Sequence, residues 1–275
     1  MYPSRFLAMP FIIGGIILIL LAFKTQAYVI YMLIPAIALM GIYVLHPQID
    51  WWWFNKFPPR LDKKGQAFLA RFMPFYQKLD ELEKDKLHQR IALIELATDF
   101  SSMAEVDLPN DAMVAFAATQ AQLTFGLEEY LIKGYEKVIY YPGAFPSPKY
   151  PEHFHLSENF EEETTNGFIF SLQYALQAFL NPQQYYNIVL HEQAQVFIKN
   201  HPDWAWPQLN DQTWEELEKI SSFPTEHLKN TINRPDFELL PAAITYFFSF
   251  PEKFEQVLPT LYITFQELFR TKAGK

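Results

Sequence analysis

Two charge-free apolar stretches separated by three residues set the strongest constraint on this chain. Phe6 to Phe23 (FLAMPFIIGGIILILLAF) is 18 residues long, and Ala27 to Leu45 (AYVIYMLIPAIALMGIYVL) is 19. At a helical rise of 1.5 Å per residue, each covers about 27–29 Å, the thickness of a bilayer core. Only Lys24, Thr25 and Gln26 lie between them. Two such helices must run antiparallel as a tight hairpin. A cleaved leader has a shorter apolar region, and here a second one follows with almost no gap.

Orientation follows from nearby positive charge. Arg5 stands before the first span, and Lys56, Arg60, Lys63 and Lys64 follow the second, while the connection carries Lys24 alone. Both termini and everything after residue 60 are therefore expected on the cytoplasmic side. Trp51, Trp52, Trp53 and Phe54 follow the second span, where aromatic rings favour the headgroup layer. Residues 1–60 read as a membrane hairpin and linker with the lipid bilayer as partner, and residues 61–275 as one soluble domain. Pro10, Gly14, Gly15 and Pro35 are candidate kink or helix-packing positions. No ionisable group inside either span suggests transport.

The first 60 residues hold four basic side chains and one acidic. The 22 Lys+Arg and 31 Asp+Glu of the chain thus leave 18 and 30 for the domain, a net charge of −12. That argues against nucleic acid as a partner. The chain has no cysteine, which excludes thiol catalysis, disulfides and Cys-based zinc sites. The pattern is mainly helical with a small sheet. Helices are expected over 62–100, 109–125, 172–180, 183–200, 212–221, 237–249 and 252–270. Strands are expected over 137–141 (KVIYY) and 167–171 (GFIFS), with an irregular loop over 144–165 that includes the run Glu161-Glu162-Glu163.

The stretch that bears on chemistry is Asn187 to Phe197, NIVLHEQAQVF, with Pro182 suited to the first turn of its helix. The run Ile188-Val189-Leu190 marks a buried helix, into which His191 and Glu192 fall. In the pattern His-Glu-x-x-His, imidazoles at i and i+4 share a face and hold one zinc ion, and the glutamate takes a proton from metal-bound water. Here the fifth position is Gln195, a neutral amide and a poorer zinc donor than imidazole. Asn187, His191, Gln195 and Lys199 also fit a plain polar stripe at i+4 spacing, and Glu192 could be buried against a basic group as a structural ion pair.

Several segments in order resemble the Mlc titration factor A family of zinc metallopeptidases (MtfA-like, glucose-regulated). They are QAQLTFGL at 120–127, IYYPGAF at 139–145, the helix from Asn187, FELLPAAITYFFSFP at 237–251 and PTLY at 259–262. The resemblance extends over about 68–270. The resemblance implies an α+β, mainly helical zincin-like fold with a small sheet. It implies His191 as first zinc ligand, Glu192 as general base, Gln195 at the degenerate second-ligand position and Glu238 as third ligand, with Zn2+ as the cofactor if the site is functional. Thr231 stands where the family tends to place a tyrosine, and the family's Gly-Glu and tryptophan features are not evident around 155–172. His153, His155, His201 or His227, all expected in loops or connections, would be the candidates to replace the missing ligand.

Three functions are compatible with these residues. One is a membrane-anchored relative that keeps the groove and binds a peptide or protein without cleaving it, as a pseudopeptidase. Another is an active zinc peptidase with Glu192 as base. The third is a structural docking protein in which the hairpin matters most.

Overall fold

In a computed structural model of the full chain, the structure describes residues 2–103, 107–163, 165–221 and 223–271. The chain divides into two compact units, Met1–Pro59 and Arg60–Lys275.

The first unit is a helical hairpin. Helix α1 (Pro3–Ala22) and helix α2 (Leu33–Lys56) pack along each other, joined through a 3₁₀ segment (Gln26–Met32). Both helical arms, the second counted from Ala27 to Lys56, are long and apolar enough to cross a membrane. The second arm runs further than the apolar stretch alone suggested, so Trp51 to Phe54 continue the helix instead of following it. Pro47 cannot donate to the carbonyl four residues back. The ring of His46 takes up that carbonyl, with Nδ1 2.7 Å from the Tyr43 oxygen, and the helix continues through the proline.

The second unit is helical around a four-stranded sheet. Its helices are α3 (Lys63–Phe72), α4 (Pro74–Gln77), α5 (Glu81–Ala97), α6 (Asn110–Leu123), α7 (Leu172–Leu180), α8 (Ile188–Asn200), α9 (Gln212–Ser221), α10 (Thr225–Ile232), α11 (Leu239–Ser249), α12 (Pro251–Val257) and α13 (Pro259–Phe269). Strands β1 (Asp99–Ser102), β2 (Lys137–Tyr141), β3 (Ser157–Glu161) and β4 (Asn166–Ser171) lie in the order β1-β2-β4-β3. The first three in that order are mutually parallel, and β3 runs antiparallel to β4 with Ser157 opposite Phe170 and Glu161 opposite Asn166.

The centre is helix α6. Its alanines and Val114, Phe116 and Leu123 are buried around nearly the whole circumference, as expected of a helix with no solvent face. Phe116 meets Phe168 and Phe170 of β4 at a tilt, at 5.7 and 6.2 Å. Each such fully buried ring contributes about 1.5–3 kcal/mol. Arg90 of α5 reaches the open carbonyls beyond α6, donating to Thr124, Phe125 and Leu127 at 2.7, 3.1 and 2.5 Å. A cation is favoured at that helix end.

Several expected boundaries shift for local reasons. The helix over 62–100 is three helices and a strand. Pro74 starts a new helix after Met73, and Asp80 opens α5 by a capping box with Glu83. The helix over 183–200 begins at Ile188, where the Asn187 side chain accepts from the Leu190 N–H at 3.0 Å; Pro182 stays in the preceding turn. The helix over 252–270 is split at Leu258-Pro259. The loop over 144–165 contains β3, and α10 lies where no helix was expected.

Candidate functional site

Helix α8 carries three of the expected site residues, and its polar face runs from interior to surface. His191 and Glu192 are 1% and 0% exposed, Gln195 is half-buried, and Lys199 is exposed. The helix packs against α6, α11 and β3. Gln193 ties it to α6 by donating to the Phe116 carbonyl at 3.1 Å.

His191 lies in an aromatic box. Its ring stacks on Phe237 at 4.5 Å and 16°, and Phe237 also stacks with Trp214 at 5.7 Å. Nδ1 is 2.8 Å from the Tyr186 hydroxyl. Nε2 is buried and has no hydrogen-bond partner. Burial, with the Arg234 charge adding to it, holds the imidazole well below its usual range, so the ring is neutral. Burial also pushes the Tyr186 phenol well above its usual value.

Glu192, the next residue, projects towards β3. Its Oε1 accepts from the Ser157 hydroxyl at 2.7 Å and from Arg234 Nη1 at 2.6 Å, and its Oε2 accepts from Asn159 Nδ2 at 2.7 Å. Gln195 Oε1 accepts from the same Asn159 amide at 2.8 Å and is 3.4 Å from Arg234 Nη2. The carboxylate is thus one half of a buried ion pair, the structural role that its burial in the helix allowed for.

Arg234 is the residue that no motif pointed to. Helix α10 stops at Ile232, and Asn233 takes a left-handed conformation (φ 56°, ψ 42°) that asparagine tolerates. Asn233 also donates to the Phe154 carbonyl at 3.0 Å. That turn aims the Arg234 side chain inward, where it is 1% exposed. Besides Glu192, Nη1 donates to the Ser157 carbonyl at 2.8 Å, and Nε donates to Asp236 Oδ1 at 2.8 Å. Asp236 Oδ2 in turn accepts from Lys149 Nζ at 2.9 Å. Burial works against the charge on both partners. The two carboxylates overcome it at Arg234, whose pKa is raised, and Arg234 overcomes it at Asp236, whose carboxyl is held below the usual carboxylate range.

Glu238 does not join this group. It is exposed at the N-cap of α11, and its side chain makes no capping bond. Thr231 sits in α10, half-buried. His155 is fully buried, with Nδ1 2.9 Å from the His153 carbonyl and Nε2 3.2 Å from Glu158 Oε2, so both nitrogens are engaged away from His191. His153 is exposed. His201 caps α8 with Nδ1 2.8 Å from the Phe197 carbonyl, and His227 is exposed on α10, within a helix and not on a connection.

Residues 55–270 match the family of glucose-regulated metallo-peptidase M90. The chain belongs to this family. The match covers the whole second unit apart from its last few residues, and the zincin-like fold and the mostly helical layout go with it. Compared with curated proteins, the chain has no match.

Family membership suggests zinc, and the residues present can be tested for it. Zinc takes neutral imidazole and carboxylate donors at about 2.0–2.2 Å in a tetrahedral set. The neutral His191 with its open Nε2 suits that role. The rest does not. Gln195 turns its oxygen to Asn159 and Arg234, Glu192 is bonded by three donors, Glu238 is at the surface, and a guanidinium lies among them. Among the described residues, no three His, Asp or Glu side chains come together as a metal-holding group. The residues present do not fit a zinc ion.

Sequence reasoning missed Ser157, Asn159, Tyr186 and Arg234. Their one available signal was the requirement that a carboxylate buried in an apolar helix find a cation somewhere.

Proposed function

We propose that this chain is a membrane-anchored M90-family protein that holds an extended peptide or protein segment without hydrolysing it. The observation that carries the reading is the engagement of Glu192. A general base must reach a water molecule, and this carboxylate has both oxygens bonded by Ser157, Asn159 and Arg234 at 2.6–2.7 Å in a fully buried position. No zinc is held. The hairpin sits in the bilayer, with both termini and the second unit on the cytoplasmic side, as the excess of Lys and Arg there supports. Nucleic acid is not a partner of so acidic a domain.

Peptide capture is supported by the edge position of β3. The Ser171 N–H donates to the Leu156 carbonyl at 2.7 Å, and the Glu162 N–H to the Thr165 carbonyl at 3.1 Å. In an antiparallel pair bonded positions alternate, so 156, 158, 160 and 162 pair inward and the backbone groups of 157, 159 and 161 face outward. Arg234 takes the Ser157 carbonyl. Asn159 and Glu161 are left as the positions where an extended segment adds to the sheet.

The unpartnered Nε2 of His191 favours one competing reading, an active zinc peptidase. Elemental analysis of the purified full chain in detergent decides between them, together with a peptide-bond hydrolysis assay on reduced casein. The expected outcome is no zinc and no hydrolysis, with fluorescein-labelled casein peptides bound. That binding should be lost in Glu161→Pro, which removes an outward N–H, and kept in Glu161→Ala. Stoichiometric zinc that disappears with hydrolysis in His191→Ala would sink the proposal.

A further inference from the structure

We infer that Arg234 is a resident cation occupying the role that a metal ion has in such a site, and that its presence, and not Gln195 alone, keeps metal out. The inference rests on the metal-free reading above. Arg234 joins three separate pieces of the fold: Glu192 on α8 at 2.6 Å, the Ser157 carbonyl on β3 at 2.8 Å, and Asp236 in the segment leading to α11 at 2.8 Å. A metal bound between α8 and the start of α11 would tie the same helix to the same downstream segment.

Electrostatics makes the two cations alternatives. Glu192 is buried and paired with Arg234 at 2.6 Å, and a buried carboxylate needs an opposite charge with good hydrogen-bond geometry. The planar guanidinium supplies both. Its side chain is 1% exposed and that of Glu192 is 0% exposed, so little solvent screens the pair. A divalent ion held at position 195 would stand beside a fixed positive charge, since Arg234 Nη2 already lies 3.4 Å from the Gln195 Oε1, at low dielectric where like charges repel strongly. Restoring an imidazole at position 195 therefore leaves the main obstacle in place.

The test uses the full-length chain in detergent micelles. Gln195→His is incubated with zinc, washed, and examined for bound metal and for a zinc-dependent shift in Tm. It should hold no stoichiometric zinc and show no shift. In parallel, Arg234→Met, Glu192→Gln and the double variant are compared by thermal unfolding. Arg234→Met strands a buried carboxylate and should lower Tm by about 10 °C or prevent folding. The double variant, with neither charge, should recover at least half of that loss or fold where the single variant does not. Zinc uptake by Gln195→His alone would overturn the inference. So would an unchanged Tm in Arg234→Met, or a double variant no more stable than Arg234→Met. The two readings fail separately. Zinc in the unaltered chain removes the metal-free reading, whereas a metal-free chain whose Gln195→His variant takes up zinc removes only the role of Arg234.

Discussion

Asp50, near the end of the second arm, caps the first turn of α1 through Ser4. Its Oδ1 accepts from the Ser4 backbone N–H at 2.7 Å and its Oδ2 from the Ser4 hydroxyl at 2.8 Å, and both residues are buried. The first N–H groups of a helix have no partner within it, and a carboxylate there is doubly favoured, as acceptor and as anion. Losing a cap of this kind costs about 1 kcal/mol. Asp50→Ala should therefore speed hydrogen exchange at the Ser4 amide about fivefold in nanodiscs, and Asp50→Asn, which keeps an acceptor, should do less. Unchanged exchange would mean that the clasp does not form in a bilayer.

Tyr186 gives the buried His191 ring its one hydrogen bond, at 2.8 Å. Tyr186→Phe keeps the ring packing and leaves both imidazole nitrogens without a partner. An unsatisfied buried polar group costs about 1–3 kcal/mol. Differential scanning calorimetry should place the Tm of this variant about 3–9 °C lower. His191→Phe, which removes the polar atoms along with their need for partners, should lose less. The reverse order would mean that the ring is held by packing alone.

Glu95, half-buried on α5, has its carboxyl pushed up to about 7, first by burial and then by the nearby Asp62. The folded state thus prefers the protonated form more than the unfolded chain does. Stability from this group is full below the ordinary carboxyl range near 4.5, declines as pH rises towards about 7, and is lost above it. Glu95→Gln removes the penalty. At pH 8 it should raise Tm by about 3–6 °C, allowing for partial solvent screening, and the gain should vanish near pH 4.5. A gain that does not depend on pH would exclude titration of Glu95 as its source.

Gly126 lies against the end of α13. A Cβ there would stand 2.2 Å from the Phe269 carbonyl oxygen and 2.5 Å from that of Arg270. Backbone cannot move aside as a side-chain tip does, so one of the two segments must shift. Gly126→Ala should cost at least about 1–3 kcal/mol, read as a lower urea midpoint. Gly143→Ala, with open space around its Cβ position, is the control and should be neutral.

Elements bounded by strong punctuation were legible from the residues. Strand β2 is stopped by Pro142-Gly143, and β4, α7 and α9 lie within a residue of the expected spans. Strand β3 was hidden because Ser-Glu-Asn-Phe-Glu has almost no apolar alternation; the side chains of Ser157 and Asn159 bond to Glu192 instead of joining the core. The candidate site was half legible. A glutamate inside the run Ile188 to Phe197 signals that something unusual must neutralise it. The partner lies 42 positions along the chain, beyond the reach of any helical spacing, and is aimed by the left-handed turn at Asn233. The same gap explains Glu238: matching its segment fixed its place in the sequence but not which way its side chain faces.

The ion pairs around Glu192 have a consequence for whatever rests on β3. From the surface inward, Lys149, Asp236, Arg234 and Glu192 alternate in sign, each within 2.6–2.9 Å of the next. Their formal charges cancel, so the row acts as an array of short dipoles whose field fades within a few ångströms. A carbonyl lying above it is neither strongly polarised nor drawn in from a distance. The row should therefore add little electrostatic steering of its own at this strand edge, where selectivity rests on shape and backbone pairing instead of charge.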